Sequence, residues 1–218
     1  MSITISAQDV KSLRDRTGAG IMDAKAALQE SGGDVDKAIE ILRVKGAAKA
    51  EKRAERGAAE GIVSSYIHAT GRIGVLVEVN CETDFVARTD HFQELVRDIA
   101  MHIAAADPRF VRREEVTPEA MERERAIFQD QALASGKPAN VVEKIVAGKM
   151  EKYYSEFVLL EQPFVKNPDQ TVAQLIAEKV GKIGENIQVR RFTRYKLGEG
   201  IEKRPDDFAA EVAAQAGQ

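Results

Sequence analysis

Several residue types are scarce in this chain of 218 residues, and their scarcity narrows the classes of protein it can be. Tryptophan is absent, aromatic residues make up 6%, and the one cysteine, Cys81, excludes an intrachain disulfide and is typical of a reducing compartment. No apolar run approaches the roughly 18 residues that cross a bilayer, and the N-terminus lacks the basic start and apolar stretch of a signal peptide. We therefore expect a cytoplasmic protein with an aliphatic core.

A strong excess of charge of either sign is also missing. The formal net charge is −3, so the chain as a whole carries no basic signature of nucleic-acid binding. Hydrophobic residues at 44% and charged residues at 31% are typical of a globular protein. We expect neither a membrane nor a nucleic acid as a direct partner.

The chemistry of a catalytic, metal or cofactor site is not recognisable in the sequence. There is no G-x-x-x-x-G-K-[ST] phosphate loop, and the three histidines are not at metal-ligand spacing. His102 lies near the apolar face of a predicted helix, where a packing role is more common than that of a catalytic base. Cys81 ends an apolar strand and is predicted to be a small buried hydrophobe. No catalytic residue, metal or cofactor is therefore predicted, and the protein is not expected to be an enzyme.

Helical periodicity over residues 1–46 predicts a three-helix bundle. Ser6 and Asp9 form a capping-box pattern at its start, and Gly46 is predicted to end its third helix. In the second helix, Ile21 is predicted to face the core, which would turn Met22 outward beside a glycine-rich loop. Such a small bundle is marginal alone and usually exists to bind something.

Residues 47–57 are predicted to form a basic linker helix. The cations of this region recur mostly every three or four residues, on one side of a helix. These cations are Lys45, Lys49, Lys52, Arg53 and Arg56. Two interpretations stay open: a solvated linker between domains, or contact with an acidic or phosphate surface.

Residues 58–200 are predicted to form an α+β core with a small antiparallel sheet packed against helices. β-Branched runs at 62–68 and 73–80 flank a turn at Thr70–Arg72, as in a hairpin. The second run is apolar on nearly both faces, which indicates a central strand. A strand from Ile187 could pair with this hairpin. Residues 201–218 are predicted to form a short C-terminal helical module.

The loop after the central strand carries an acid beside a phenylalanine, in Thr83-Asp84-Phe85-Val86. Loops at strand ends often carry function. Periodicity leaves two alternatives for Phe85: it tucks back onto the core, or it projects as an exposed wedge.

Three motifs together resemble one family. They are L-R-x-x-T-G-A-G-x-M-D-x-K from Leu13, N-C-E-T-D-F-V-A-R from Asn80, and G-x-I-E-K after the last strand. In this order, over nearly the whole chain, they are similar to bacterial translation elongation factor Ts, in its short form. The resemblance implies a bundle of the ubiquitin-associated type.

The family resemblance also implies a function, as a guanine nucleotide exchange factor for elongation factor Tu. Thr83, Asp84, Phe85 and Val86 match the loop that the family directs toward the partner's magnesium site. Met22 and, more weakly, His102 match other regions that contact the partner. Binding to the GDP-bound partner would promote GDP release during translation elongation.

The chain departs from the family pattern at two points, and two other functional classes stay open as alternatives. Ala24 stands where many members have cysteine, and the core holds one hairpin unit where long members carry two. A second copy would supply the missing unit, so a homodimer is expected.

The alternatives are an RNA- or ribosome-associated protein that uses Lys45–Arg56 and shows salt-sensitive binding, and a hydrolase with dispersed carboxylates.

Overall fold

The computed structural model describes residues 5–136 and 138–201 and has an α+β architecture. The helices are α1 (Ala7–Thr17), α2 (Ile21–Glu30), α3 (Val35–Arg53), α4 (Asp84–Ala87), α5 (Asp90–Ala106), α6 (Pro118–Ala134), α7 (Ala139–Phe157) and α8 (Val172–Ile183). The strands are β1 (Glu60–Ile67), β2 (Ile73–Cys81), β3 (Pro163–Phe164), β4 (Asn167–Thr171) and β5 (Ile187–Lys196). Of the C-terminal helical module predicted over residues 201–218, all but Ile201 lies outside the described residues.

Helices α1 to α3 form the predicted bundle around a core of their own. The capping box is confirmed: the side chain of Ser6 accepts from the backbone of Asp9, and Asp9 reciprocates. Asp34 caps α3 by accepting from two backbone N–H groups of its first turn. The buried residues of this bundle are Val10, Leu13, Ala24, Ala27, Leu28 and Ala38.

The predicted end of the third helix at Gly46 is wrong, because α3 continues to Arg53. Helix α3 passes close to α8 at this point: a Cβ placed on Gly181 would lie 3.5 Å from the Cα of Gly46, which is an ordinary van der Waals contact. Beyond this crossing, Ala50 packs on the main core. The bundle and the predicted linker therefore share one helix.

The basic stripe of α3 contacts groups of its own chain. The contacts are Lys45 Nζ to Glu30 (2.5 Å), Lys49 Nζ to Asp23 (2.8 Å), Arg53 to the carbonyl of Val180 (3.3 Å) and Arg56 to Glu82 (3.6 Å). Two of these contacts join α3 to α2, and the other two join its end and the following residues to the core. Both interpretations of the stripe, a solvated linker or contact with an acidic or phosphate surface, stay predictions, because the pairs of Lys45 and Lys49 are about half exposed.

The sheet has the order β1-β2-β5 and is antiparallel throughout, so β2 is the predicted central strand. Alternate residues of β2 are buried, and α5 and α8 cover that face. The buried residues of β2 are Val75, Val77, Val79 and Cys81. The pairing of the last predicted strand with the hairpin is likewise confirmed.

The N-cap of α5 lies one residue before Asp90, the capping residue that its side-chain type predicts. Thr89, and not Asp90, is the N-cap, and its hydroxyl accepts from the backbone N–H of Phe92 at 3.4 Å. Asp90 instead lies in the first turn, where its charge complements the helix dipole. Asp107 is the C-cap of α5 and has left-handed backbone angles, directly before Pro108.

Helices α6 and α7 pack on each other around a separate cluster that includes Val146, Met150 and Tyr154. The short β3–β4 hairpin was missed by sequence reasoning, because a two-residue strand has no measurable periodicity. In the described residues, no helix has the length and apolar character needed to cross a bilayer.

We expect Gly61→Ala to lower the free energy of unfolding by more than about 2 kcal/mol, since strain and a backbone clash add together. Gly61 has φ 139°, and a Cβ there would lie 2.2 Å from the carbonyl oxygen of Val79. Gly71→Ala is the matched control, because Gly71 has φ 69° with open space around its Cβ position. Urea unfolding measures both variants, and equal losses would contradict the clash.

Candidate partner-binding site

The segment after β2, Thr83–Val86, is the start of a one-turn helix and not the loop that the sequence predicted. We call Thr83–Val86 the tip. Thr83 is the N-cap of α4, and its Oγ1 accepts from the backbone N–H of Val86 at 3.4 Å. The thiol of Cys81 donates to the carbonyl of Thr83 at 3.1 Å. The helix thus begins directly on the end of the central strand.

The structure decides between the two alternatives for Phe85, because this side chain is 77% exposed. On the other side of the same turn, Val86 is half-buried against the main core and Ala87 is buried. A single helical turn therefore carries an apolar anchor on one side and an exposed aromatic side chain on the other. An exposed aromatic ring on an anchored base is typical of a contact surface.

Asp84 lies beside Phe85 and forms an ion pair with Arg88, one turn later, at 2.8 Å. Both side chains are substantially exposed, so this pair contributes little to stability. The carboxylate can therefore exchange Arg88 for another positive group at small cost.

The base of the tip is bound by Glu185, which lies 102 residues from Thr83 in the sequence. One carboxylate oxygen accepts from the backbone N–H groups of Glu82 (3.1 Å) and Thr83 (3.0 Å). The other accepts from the hydroxyl of Thr83 at 2.7 Å. Sequence reasoning missed Glu185, because no local pattern connects it with the tip.

The neighbouring Asn186 is buried and ties the same region to the segment after α3. Its backbone N–H donates to the Glu82 carboxylate at 2.6 Å. Its side-chain amide donates to the carbonyls of Ala54 (3.3 Å) and Arg56 (2.7 Å). The turn between α8 and β5 therefore contacts both the tip and the end of the α3 segment.

Met22 is 75% exposed, as expected, but Ile21 is also 58% exposed, so its predicted core position is wrong. Ile21 is the first residue of α2. A helical side chain covers the turn on the N-terminal side of its own Cα, and Ile21 has no such turn to cover. The two residues together form an apolar patch at the start of α2.

The structure relates this patch to the tip through α8 and the turn that follows it. Gly18, in the loop before α2, has φ 66°, and a Cβ there would lie 2.8 Å from the Cε atom of Lys182. Lys182 lies near the end of α8, three positions before Glu185. The glycine-rich loop therefore packs against the end of α8, and the tip is bound by the turn that directly follows α8.

His102 is fully buried. Its side chain therefore cannot touch a partner directly in this conformation, although the family resemblance implied that it would. Its Nδ1 accepts from the backbone N–H of Val165 at 3.2 Å, so Nε2 carries the proton and donates to Gln162 at 2.9 Å. Gln162 donates in turn to the carbonyls of Ala106 and Glu156. Burial lowers the pKa of His102, outweighing the opposing effect of Gln162. The packing role is confirmed.

The described residues contain no group of three or more His, Cys, Asp or Glu side chains arranged to hold a metal ion. Cys81 is fully buried, and burial, assisted by the nearby Glu185 carboxylate, raises the pKa of its thiol to about 11. A neutral thiol of this kind is a poor nucleophile at neutral pH.

The exposed tip and the apolar patch of α2 are surfaces of the kind that contact other macromolecules. The family model described as Elongation factor TS matches residues 6–199. Proteins called Elongation factor Ts from Carboxydothermus hydrogenoformans and Desulforamulus reducens are each 64% identical over 96% and 97% of this chain, and 97% of their own length. The one from Geobacter sulfurreducens is 59% identical, with 99% of this chain and all of the relative covered. The chain belongs to the elongation factor Ts family and so has a role in translation elongation.

We expect acid to destabilise the protein through His102. The unfolded side chain has a pKa near 6.5, and the folded value is lower. Between these two values the unfolded state binds more protons, so stability falls as pH decreases below about 6.5, with a slope approaching about 1.4 kcal/mol per pH unit. Above that pH neither state is protonated and this contribution is constant.

Urea unfolding between pH 5 and pH 8 measures this dependence. His102→Gln should make the free energy of unfolding depend less on pH below about 6.5. His91→Gln, at an exposed position of α5, should leave that dependence unchanged. If His102→Gln loses stability at acid pH as steeply as the unaltered protein, the pH dependence comes from other groups.

Proposed function

We propose that this protein is a guanine nucleotide exchange factor for elongation factor Tu. It binds the GDP-bound partner in the cytoplasm, disturbs the magnesium and phosphate site, promotes GDP release, and catalyses no chemical reaction of its own. The observation that carries the proposal is the exposure of Phe85 on an anchored one-turn helix, in a chain of the elongation factor Ts family.

Exchange by a binding factor follows from thermodynamic linkage. If the factor weakens nucleotide binding by some ratio, nucleotide weakens binding of the factor by the same ratio. The protein therefore needs no phosphate-binding loop of its own. It needs a surface that fits the nucleotide-free partner better than the nucleotide-bound one.

The tip is suited to creating that difference. Phe85 would insert between side chains of the partner, and Asp84 would alter the surroundings of the magnesium ion. A carboxylate close to a bound cation competes with the packing of the original ligands. Loss of the ion would leave the phosphate charges uncompensated and weaken GDP binding.

The tip cannot supply the whole free energy. Shifting a partner from mostly nucleotide-bound to mostly nucleotide-free requires about 5 kcal/mol of differential binding, whereas burying one phenylalanine contributes about 1.5–3 kcal/mol. Further contacts must come from other surfaces, and the exposed Met22 and Ile21 of α2 form one apolar patch on the bundle. In this scheme the bundle and core supply most of the binding free energy, and the tip uses part of it to disturb the nucleotide site of the partner.

We expect Phe85→Ala to slow GDP release from elongation factor Tu by about tenfold to a hundredfold, which corresponds to the loss of one buried aromatic contact. Release of labelled GDP at increasing concentrations of the factor measures the effect. The thermal midpoint should not change, because the ring is exposed in the free protein. Leu133→Ala, an exposed apolar position on α6, is the control. Release as fast as with the unaltered protein would exclude the wedge.

We also propose a homodimer through the outer face of the sheet. Val63 and Ile67 of β1, Leu76 of β2 and Tyr195 of β5 are exposed, and the strand register places them on the face opposite the buried valines. Two such faces can pack as a sandwich about 10 Å apart. A second copy would thereby supply the hairpin unit that long members of the family carry within one chain.

Leu76→Asp should convert this dimer to a monomer, because the substitution places an uncompensated charge in the middle of the proposed interface. Light scattering coupled to size-exclusion chromatography measures the mass. Ile127→Asp, on the exposed side of α6, should leave the mass unchanged. A mass of one chain for the unaltered protein at micromolar concentration would refute the dimer.

A further inference from the structure

We propose that Glu185 is the positioning residue of the tip: it holds α4 in the orientation that presents Phe85 to the partner. This inference rests on the proposed exchange function and adds a residue outside the tip that the function requires.

The first observation is the number and arrangement of hydrogen bonds on one side chain. The Glu185 carboxylate accepts two backbone N–H groups, of Glu82 and Thr83, and the Thr83 hydroxyl, at 3.0–3.1 Å and 2.7 Å. Both oxygens are used, and all three donors belong to the two residues that precede α4. A helix of one turn has too few internal hydrogen bonds to hold its own direction, so its base must be fixed from outside.

The Thr83 hydroxyl transmits this constraint into α4. An ionised carboxylate only accepts, so the hydroxyl hydrogen must point to Glu185, and its lone pairs remain for other donors. One of them accepts from the backbone N–H of Val86, which is the capping bond of α4. Glu185 thus orients the group that caps the helix carrying Phe85.

Glu185 is itself held in place on both sides. Gly184, with φ 91°, ends α8 immediately before it. The buried Asn186 follows it, and its backbone N–H donates to the Glu82 carboxylate at 2.6 Å. Residues 82 and 185–186 therefore bind each other reciprocally. Such a brace differs from an exposed ion pair, whose long side chains are free to separate.

The physical consequence is preorganisation. If α4 moved freely, its ordering would oppose the binding of Phe85 to the partner; with the brace, that ordering occurs on folding. Loss of Glu185 should therefore reduce the maximal rate of GDP release more than the apparent affinity, since the bundle and core would still bind.

The test is a double-mutant cycle between Glu185→Ala and Phe85→Ala in the full chain, with labelled GDP on elongation factor Tu. We expect Glu185→Ala to lower the maximal release rate about tenfold, and to add little when Phe85 is already alanine, because both act through one group. Amide hydrogen exchange should accelerate at residues 82–86 and remain unchanged in β2 and α5. Glu185→Gln, which keeps one carbonyl acceptor, should fall between Glu185→Ala and the unaltered protein.

Glu161→Ala is the control, since Glu161 is a half-buried carboxylate bound to Arg113 outside the tip and its supports. It should change stability without slowing release. If Glu185→Ala does not fold, the same cycle is run with Glu185→Gln, whose size is unchanged.

The outcomes separate the two hypotheses. Slow release with Phe85→Ala but a normal rate with Glu185→Ala or Glu185→Gln would overturn the positioning role and leave the exchange function intact. Losses that multiply in the double variant would show that Glu185 acts independently of the tip, which also overturns the inference. A normal rate with Phe85→Ala would overturn both the wedge and the positioning role that rests on it.

Discussion

The central strand β2 is the constraint on which the rest of the structure depends. It is hydrogen-bonded along both edges, and its alternate valines are buried under α5 and α8. A slip of one residue would turn these valines to the outer face, so packing and pairing enforce a single register. In that register Cys81 pairs with Ile187. The same pairing brings the turn at 184–186 beside the residues that leave β2, and so places Glu185 under the tip.

The end of α8 and the turn after it form a corner that joins three parts of the molecule. The corner contacts the glycine-rich loop through Lys182, the end of α3 through Val180 and the tip through Glu185. Because α3 runs without interruption from the bundle past Gly46, the bundle is attached to the core by a packed helix crossing. The surfaces proposed for partner binding are thus connected through packed helices and the hydrogen-bonded turn after α8.

The groups with unusual chemical environments have structural roles in the free protein. His102 is neutral and fully bonded between Val165 and Gln162, and the Cys81 thiol is buried with a raised pKa. For His102 and Cys81 the perturbed pKa reflects burial in a core, whereas the residues proposed to act on the partner, Asp84 and Phe85, lie on the outside. This separation is expected where function is contact and not proton transfer.

Local patterns in the sequence were sufficient for the elements and for much of the core. Periodicity and capping residues predicted the bundle, the hairpin and the central strand, and the motif around Phe85 indicated the candidate tip. The remaining features depend on contacts between distant segments. Periodicity could not show whether Phe85 projects, since its exposure depends on how one turn packs at the end of β2. Nor could it identify Glu185, because the carboxylate and its donors are 102 and 103 residues apart and meet only when β5 pairs with β2.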